Sequence, residues 1–167
     1  KEGGHARPPV HLWNPPLSGD IDIRIARDGS WYHEGTRFER AGLVSLFASI
    51  LKREGDEYFL VTPVEKWRLR VEDAPFVAID CEVLGAGDQQ QLVFTTNVGE
   101  RVHCGAAHPL RVLVDPVSGE PSPYVLVRDG LEARLVRSVF YRLVDRAVDG
   151  ADGRVGVFSG GEFFAIG

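Results

Sequence analysis

The chain has 167 residues, 44% hydrophobic and 26% charged, which is the make-up of an ordinary globular protein with room for one large domain or two small ones. Its formal net charge of −5 excludes a general nucleic-acid binder, which needs a net basic face to neutralise phosphates, and no apolar run approaches the roughly 20 residues that span a bilayer. Cys81 and Cys104 are too few for a disulfide framework, so a reducing, cytoplasmic setting is expected.

Residues 1–19 form an N-terminal arm. Gly3, Gly4, Pro8, Pro9, Pro15 and Pro16 exclude a long helix or a central strand, while Val10, Leu12, Trp13 and Leu17 supply apolar anchors. The arm carries no hydrophobic signal core. It is expected to drape over a groove of its own chain or of a second copy, which would make a homodimer.

A first unit covers residues 20–75. Ile21, Ile23 and Ile25 alternate with Asp22, Arg24 and Ala26, a strand with one buried face. Asp28-Gly29 predicts a type I′ hairpin returning through 30–33. Over 39–53 the period becomes helical, with Leu43, Val44, Phe47, Ile50 and Leu51 on one face and Gly55 as the stop. Strands follow at 58–62 and 67–71, where Trp67, Leu69 and Val71 alternate with Lys66, Arg68 and Arg70. Residues 76–115 show strand patterns without an intervening helix, so they are expected to form an antiparallel meander. A second unit, 116–167, holds strands at 124–127 and 131–135, a helix capped at Ser138, and strands at 154–158 and 163–166.

The two units look like copies. Arg27-Asp28-Gly29 recurs as Arg128-Asp129-Gly130, and Leu43, Val44, Phe47 and Leu51 map onto Val139, Phe140, Leu143 and Ala147 at one offset of 96 positions. The same offset carries Phe59 and Val61 onto Val155 and Val157. The expected fold is therefore α+β: duplicated ββαββ-like units joined by a β-meander.

Several runs, taken together, resemble a bacterial family of uncharacterised proteins, DUF1285. They include Trp31-Tyr32-His33-Glu34-Gly35, Arg37-Phe38-Glu39-Arg40, Val61-Thr62-Pro63-Val64-Glu65-Lys66, Val71-Glu72-Asp73-Ala74-Pro75-Phe76 and Thr96-Asn97-Val98-Gly99. His108-Pro109-Leu110, the run from Tyr124 through Arg128-Asp129-Gly130 to Arg134, Tyr141 and Ser159-Gly160-Gly161 follow in order. The resemblance implies a duplicated core whose C-terminal part is loosely pleckstrin-homology-like. It also implies a binding site between the copies, for a nucleotide-like ligand, and a role in signal transduction.

Candidate binding residues come from loops and polar strand faces. Thr62 and Glu65 sit at a turn equivalent to Ser159-Gly160-Gly161-Glu162, where a hydroxyl, a carboxylate and backbone N–H groups could hold a polar ligand; hairpin chemistry explains the same residues. Lys66, Arg68 and Arg70 share one strand face, a basic row able to meet phosphate, although such a row is more commonly a solvated face. Tyr32, His33, Glu34 and Arg37 form an apparent inserted loop, with Tyr32 able to stack on a ring and Arg37 able to hold an anion. Asn97 lies in a hairpin turn, Tyr124 offers a second stacking surface, and Arg128 is a further candidate cation.

No metal site is expected: His103 and Cys104 are strand neighbours that point to opposite faces, and no paired ligand spacing accompanies Cys81 or His108. No catalytic set is expected either. There is no G-x-S-x-G elbow, and Gly85-Ala86-Gly87 is not followed by the helix a dinucleotide fingerprint needs. The expected function is a cofactor-free regulatory module binding a small anionic ligand, nucleotide-like in form, in a cleft between the units. An interaction or dimerisation module is the alternative. A hydrolase using Glu65 or Asp80 is the third.

Overall fold

The computed structural model describes residues 7–167, and the chain divides after Asp73 into two compact units. Gly3 and Gly4, assigned to the arm's irregular start, lie outside the described residues. The rest of the arm enters the first unit through one 3-10 turn, Val10–Leu12. Val10 is buried against Phe59 and Val61, with Trp13 and Ile50 packed on the same cluster. Lys52 Nζ donates to Trp13 O and Asn14 Oδ1, both at 2.9 Å. These anchors are used within the arm's own unit, while Leu12 and Leu17 stay exposed.

The first unit is built from β1 (Gly19–Ile25), β2 (Trp31–His33), β3 (Thr36–Arg37), α1 (Ala41–Ser49), β4 (Leu51–Glu54), β5 (Glu57–Val61) and β6 (Lys66–Val71). The six strands form one sheet in the order β3-β2-β1-β6-β5-β4. Neighbours are antiparallel except β1 and β6, which run parallel at the middle of the sheet. Ile23, Ile25 and Trp31 are buried beneath it, and Trp31 stacks with Phe47 of α1.

Two local expectations for this unit are corrected. The helix stops at Ser49 because the apolar run changes purpose: Ile50 fills the Val10 cluster, and Leu51 begins a strand in which it is wholly buried. Gly55 (φ 62) turns the chain between β4 and β5 and does not end a helix. The supposed inserted loop at 32–37 is a two-residue hairpin, with Glu34 (φ 49) and Gly35 (φ 82) both left-handed, as type I′ geometry requires.

The second unit holds β7 (Phe76–Leu84), β8 (Gln91–Thr96), β9 (Arg101–His103), β10 (Leu110–Val114), β11 (Pro121–Arg128), β12 (Leu131–Leu135), α2 (Arg137–Val144), β13 (Val148–Asp149), β14 (Val155–Ser159) and β15 (Glu162–Ala165). Its large sheet has the order β10-β11-β12-β7-β8-β9, again with one parallel pair, β12 with β7. The last three strands form a small antiparallel sheet of their own. Helix α2 begins at Arg137 with Val136 as its cap residue, so Ser138 lies inside the first turn and is not the cap. Arg142 Nη1 ties this helix to β7 through Asp80 Oδ1 and Cys81 O, both at 2.6 Å.

Among the described residues the fold is thus mostly sheet, α+β, with mixed sheets and two short α-helices. The 96-position offset pairs elements in unlike places. α1 lies inside the path of the first six-stranded sheet, whereas α2 follows the last strand of the second. β5 is an internal strand of a six-stranded sheet, while β14 belongs to the three-stranded one. Two helices share the same 3.6-residue period, so their apolar positions coincide at an offset that brings those positions into phase, without the helices being copies. The tripeptides differ too. Arg27-Asp28-Gly29 makes a three-residue loop with only Gly29 left-handed (φ 91), whereas Asp129 (φ 46) and Gly130 (φ 78) make a two-residue type I′ turn.

Strand β8 carries three consecutive buried residues, Leu92, Val93 and Phe94, so both of its faces are covered. Ser159 joins the small sheet to it: its buried Oγ accepts the Leu92 N–H at 2.9 Å and donates to Cys104 O at 2.8 Å. Next to it, Gly160 (φ 59) leaves no room for a Cβ, which would lie 2.9 Å from Cys104 O. The turn at 159–162 is therefore structural. Ser159→Ala removes both bonds and orphans a buried N–H, so a loss of about 1–3 kcal/mol is expected in urea unfolding.

Candidate functional site

The basic row on β6 is answered by carboxylates from β1 on one side and from β4 and β5 on the other. Arg68 Nε donates to Asp20 Oδ1 at 2.8 Å, Arg70 Nη2 to Asp22 Oδ1 at 2.9 Å, and Arg24 Nη1 to Glu72 Oε2 at 2.7 Å, each pair 48 positions apart. Arg68 also reaches Glu57 of β5 at 3.1 Å, and Lys66 Nζ reaches Glu54 at 2.6 Å. The result is a ladder of opposite charges across one face of the sheet. Sequence alternation showed the basic members. Asp20 and Asp22 became partners only through the parallel register, and Glu54 and Glu57 through the antiparallel β4 and β5, neither of which alternation encodes.

That register is interrupted. Asp20 faces Arg68, but two residues later on β6 Arg70 faces Arg24, so β1 carries the extra length between them. At the break lies an open groove of about 530 Å³, lined by Asp20, Ile21, Asp22, Arg68, Leu69 and Arg70. Arg24 and Arg70 stand directly opposite each other as like charges, and each turns to a carboxylate instead. Tyr32, across from Arg24 on β2, lies under its guanidinium at 4.3 Å from the ring centre. One end of the ladder thus carries an aromatic ring.

The other candidates of the first unit fall elsewhere. Arg37 sits on the exposed edge strand β3 and pairs across the hairpin with Tyr32. Its charge adds to the Ser30 N–H in holding the Asp28 carboxyl below its usual range. Thr62 Oγ1 accepts the N–H of Glu65 at 2.9 Å and that of Val64 at 3.3 Å, so it holds its own turn. The Glu65 carboxylate accepts the Trp67 indole N–H at 2.9 Å.

In the second unit, Asn97 and Arg128 come together at one end of the large sheet. Asn97 Oδ1 accepts the Val77 N–H at 3.1 Å. Arg128 meets Glu100 through Nε at 3.3 Å and Nη2 at 3.4 Å, and lies over the Phe76 ring at 5.5 Å. Tyr124 is a correction: at 7% exposure, with Arg111 4.7 Å over its ring, it is a core residue that presents no open face for stacking.

Three groups that could do chemistry, Asp80, Cys81 and Cys104, are held in inert states. Arg142 and the Cys81 N–H hold the Asp80 carboxyl below its usual range, so it is no poised acid. Burial pushes the Cys81 thiol up to about 11 and Cys104 up to about 12, which keeps both protonated and unreactive at neutral pH. Among the described residues, no three His, Cys, Asp or Glu side chains converge as metal ligands, and no helix is long and apolar enough to cross a membrane.

Residues 8–74 match a domain described as the N-terminal domain of DUF1285, a domain of unknown function, and residues 75–166 match the C-terminal domain of the protein of unknown function DUF1285. A DUF1285 family protein from Silicibacter pomeroyi DSS-3 is 55% identical, with a TM-score of 0.92 over 99% of this chain and 89% of its own. Another from Shewanella baltica OS155 is 32% identical, with a TM-score of 0.59 over 75% of this chain and 92% of its own. No curated protein matches the chain.

The ladder also makes a pH prediction. The Lys66 ammonium, followed by Lys52, holds Glu54 below its ordinary 4.5, so the folded carboxyl binds its proton less readily than the unfolded one. Its contribution is present above 4.5 and is lost as pH falls through the lower folded value. Glu54→Gln should therefore destabilise at neutral pH, and the gap from wild type should close in urea melts taken at progressively lower pH.

Proposed function

The chain belongs to the DUF1285 family, and on that footing we propose that its N-terminal domain is a non-enzymatic, ligand-binding regulatory module taking a small anion in the β1/β6 groove. The observation that carries this reading is the groove itself, where Arg68 and Arg70 project from one face at a break in the strand pairing. Each guanidinium is held there by carboxylates on exposed ion pairs. Such pairs gain little net stability, because water screens them and two side chains must be ordered, so a phosphate can exchange for Asp20 and Asp22 at small cost. Two adjacent arginines then offer the paired N–H geometry that phosphate oxygens fit. A nucleotide-like ligand would add a ring, and Tyr32 with Arg24 supplies a flat surface on the same sheet face.

Pyrophosphate and a panel of nucleotides in a thermal-shift assay test this. A ligand at about a hundred times its Kd should stabilise by about 2.7 kcal/mol, and the shift should vanish in the Arg68→Ala/Arg70→Ala double variant. Equal shifts in wild type and double variant would remove the groove from consideration.

A second reading, an interaction module, is favoured by α1. This helix carries no charged residue over Ala41–Ser49, and Leu46 is 59% exposed on it. Concentration-dependent association in analytical ultracentrifugation, abolished by Leu46→Glu with the melting temperature unchanged, would establish that role.

A further inference from the structure

The second unit contains a pocket that shares no residue with the charge ladder. It measures about 260 Å³, the volume of about nine water molecules at roughly 30 Å³ each. The segment that follows α2 lines it with Asp145, Arg146, Ala147 and Val148, together with Gln90 and Phe158. Its chemistry differs from that of the groove. The arginines of the ladder are each matched to a carboxylate, but Arg146 makes no ion pair among the described residues, and neither does Asp145. Two adjacent, opposite charges, both open to solvent, therefore line one small pocket.

Gln90 is the third element. It is only 4% exposed, and a buried amide normally has its hydrogen-bonding capacity filled. Its Nε2 donates to Phe158 O at 3.0 Å, which fixes the amide's orientation, and its backbone O accepts the Gly160 N–H at 3.3 Å. Its Oε1 meets no donor among the described residues and is not one of the buried polar atoms cut off from water, so it stays open to solvent. Phe158 is held in turn by an edge-on contact with Phe163, ring centres 5.2 Å apart. With Ala147 and Val148 it gives the pocket an apolar wall.

We propose that this pocket binds a small α-amino acid with an apolar side chain. The carboxylate meets the Arg146 guanidinium. The ammonium donates to Gln90 Oε1 and Asp145, and the side chain lies against Phe158, Ala147 and Val148. An amino acid fits these groups better than a bare anion does, because Asp145 repels an anion and the Gln90 oxygen can only accept. It fits better than an apolar molecule, which would bury an acceptor without satisfying it.

The full chain is titrated with L-phenylalanine and L-leucine, following backbone amide shifts by NMR. Binding should perturb amides at 86–90 and 145–148. Removing either charge from the ligand should weaken it at least about tenfold, so L-phenylalaninamide and N-acetyl-L-phenylalanine serve as probes on the unaltered protein. Arg146→Gln, at an exposed position, should weaken phenylalanine to the same degree while leaving phenylalaninamide unchanged. No perturbation of these amides by either amino acid at about 10 mM, or equal binding of phenylalanine and its amide, overturns the proposal. So does an Arg146→Gln protein that binds phenylalanine as tightly as wild type. Because Arg68 and Arg70 are untouched, pyrophosphate binding in the groove can succeed or fail independently.

Discussion

Each unit depends on one parallel strand pair that closes a long stretch of chain. β1 meets β6, and β7 meets β12, after the intervening strands have turned back on themselves. A hairpin needs only two residues to bring its strands together, but these pairs must wait for the rest of the sheet path, at the loop-closure cost of a non-local contact. What offsets that cost is burial: Ile23 and Ile25 on β1 and Leu69 on β6, and Phe76, Ala78, Ala133 and Leu135 at the second junction, are all removed from water. Both six-stranded sheets follow the same route, two three-stranded meanders joined at their inner strands. They differ in what fills the gap between meanders, a helix in the first and the bare segment 104–109 in the second.

The same constraint creates the charge ladder. Once β1 and β6 are parallel, a polar residue at one position of β1 meets a residue 48 positions later, and Asp20, Asp22 and Arg24 each find an opposite charge there. The break in register spreads the two strands just where those pairs lie, and the groove is the consequence. A basic row that looks like a phosphate site in isolation is in fact neutral along its length. The binding energy available there is what an incoming anion gains beyond the carboxylates it displaces. The second unit pairs charges as well, Arg101 with Glu82, Arg111 with Glu132 and Arg142 with Asp80, but none of these pairs lines the pocket at the end of α2.

The sequence by itself determined the local structure and the family. Alternation placed β1, β6 and β12, left-handed glycines located the hairpin turns, and the apolar period located α1 and α2, because strand and helix periods are properties of a few neighbouring residues. It misjudged Gly55, Ser138 and the apparent repeat at 96 positions, because the same short pattern serves a helix end, a hairpin or a cap until a partner element selects among them. Only the tertiary structure decided the pairings: that Tyr124 is core, that Ser159 is spent on Leu92 and Cys104, and that the arm docks through Val10 on its own unit. It alone set Arg68 against Asp20 and left Arg146 without an ion-pair partner among the described residues. The physical reason is distance along the chain. A contact between residues tens of positions apart depends on strand order and register, and neither is written in the residues that make the contact.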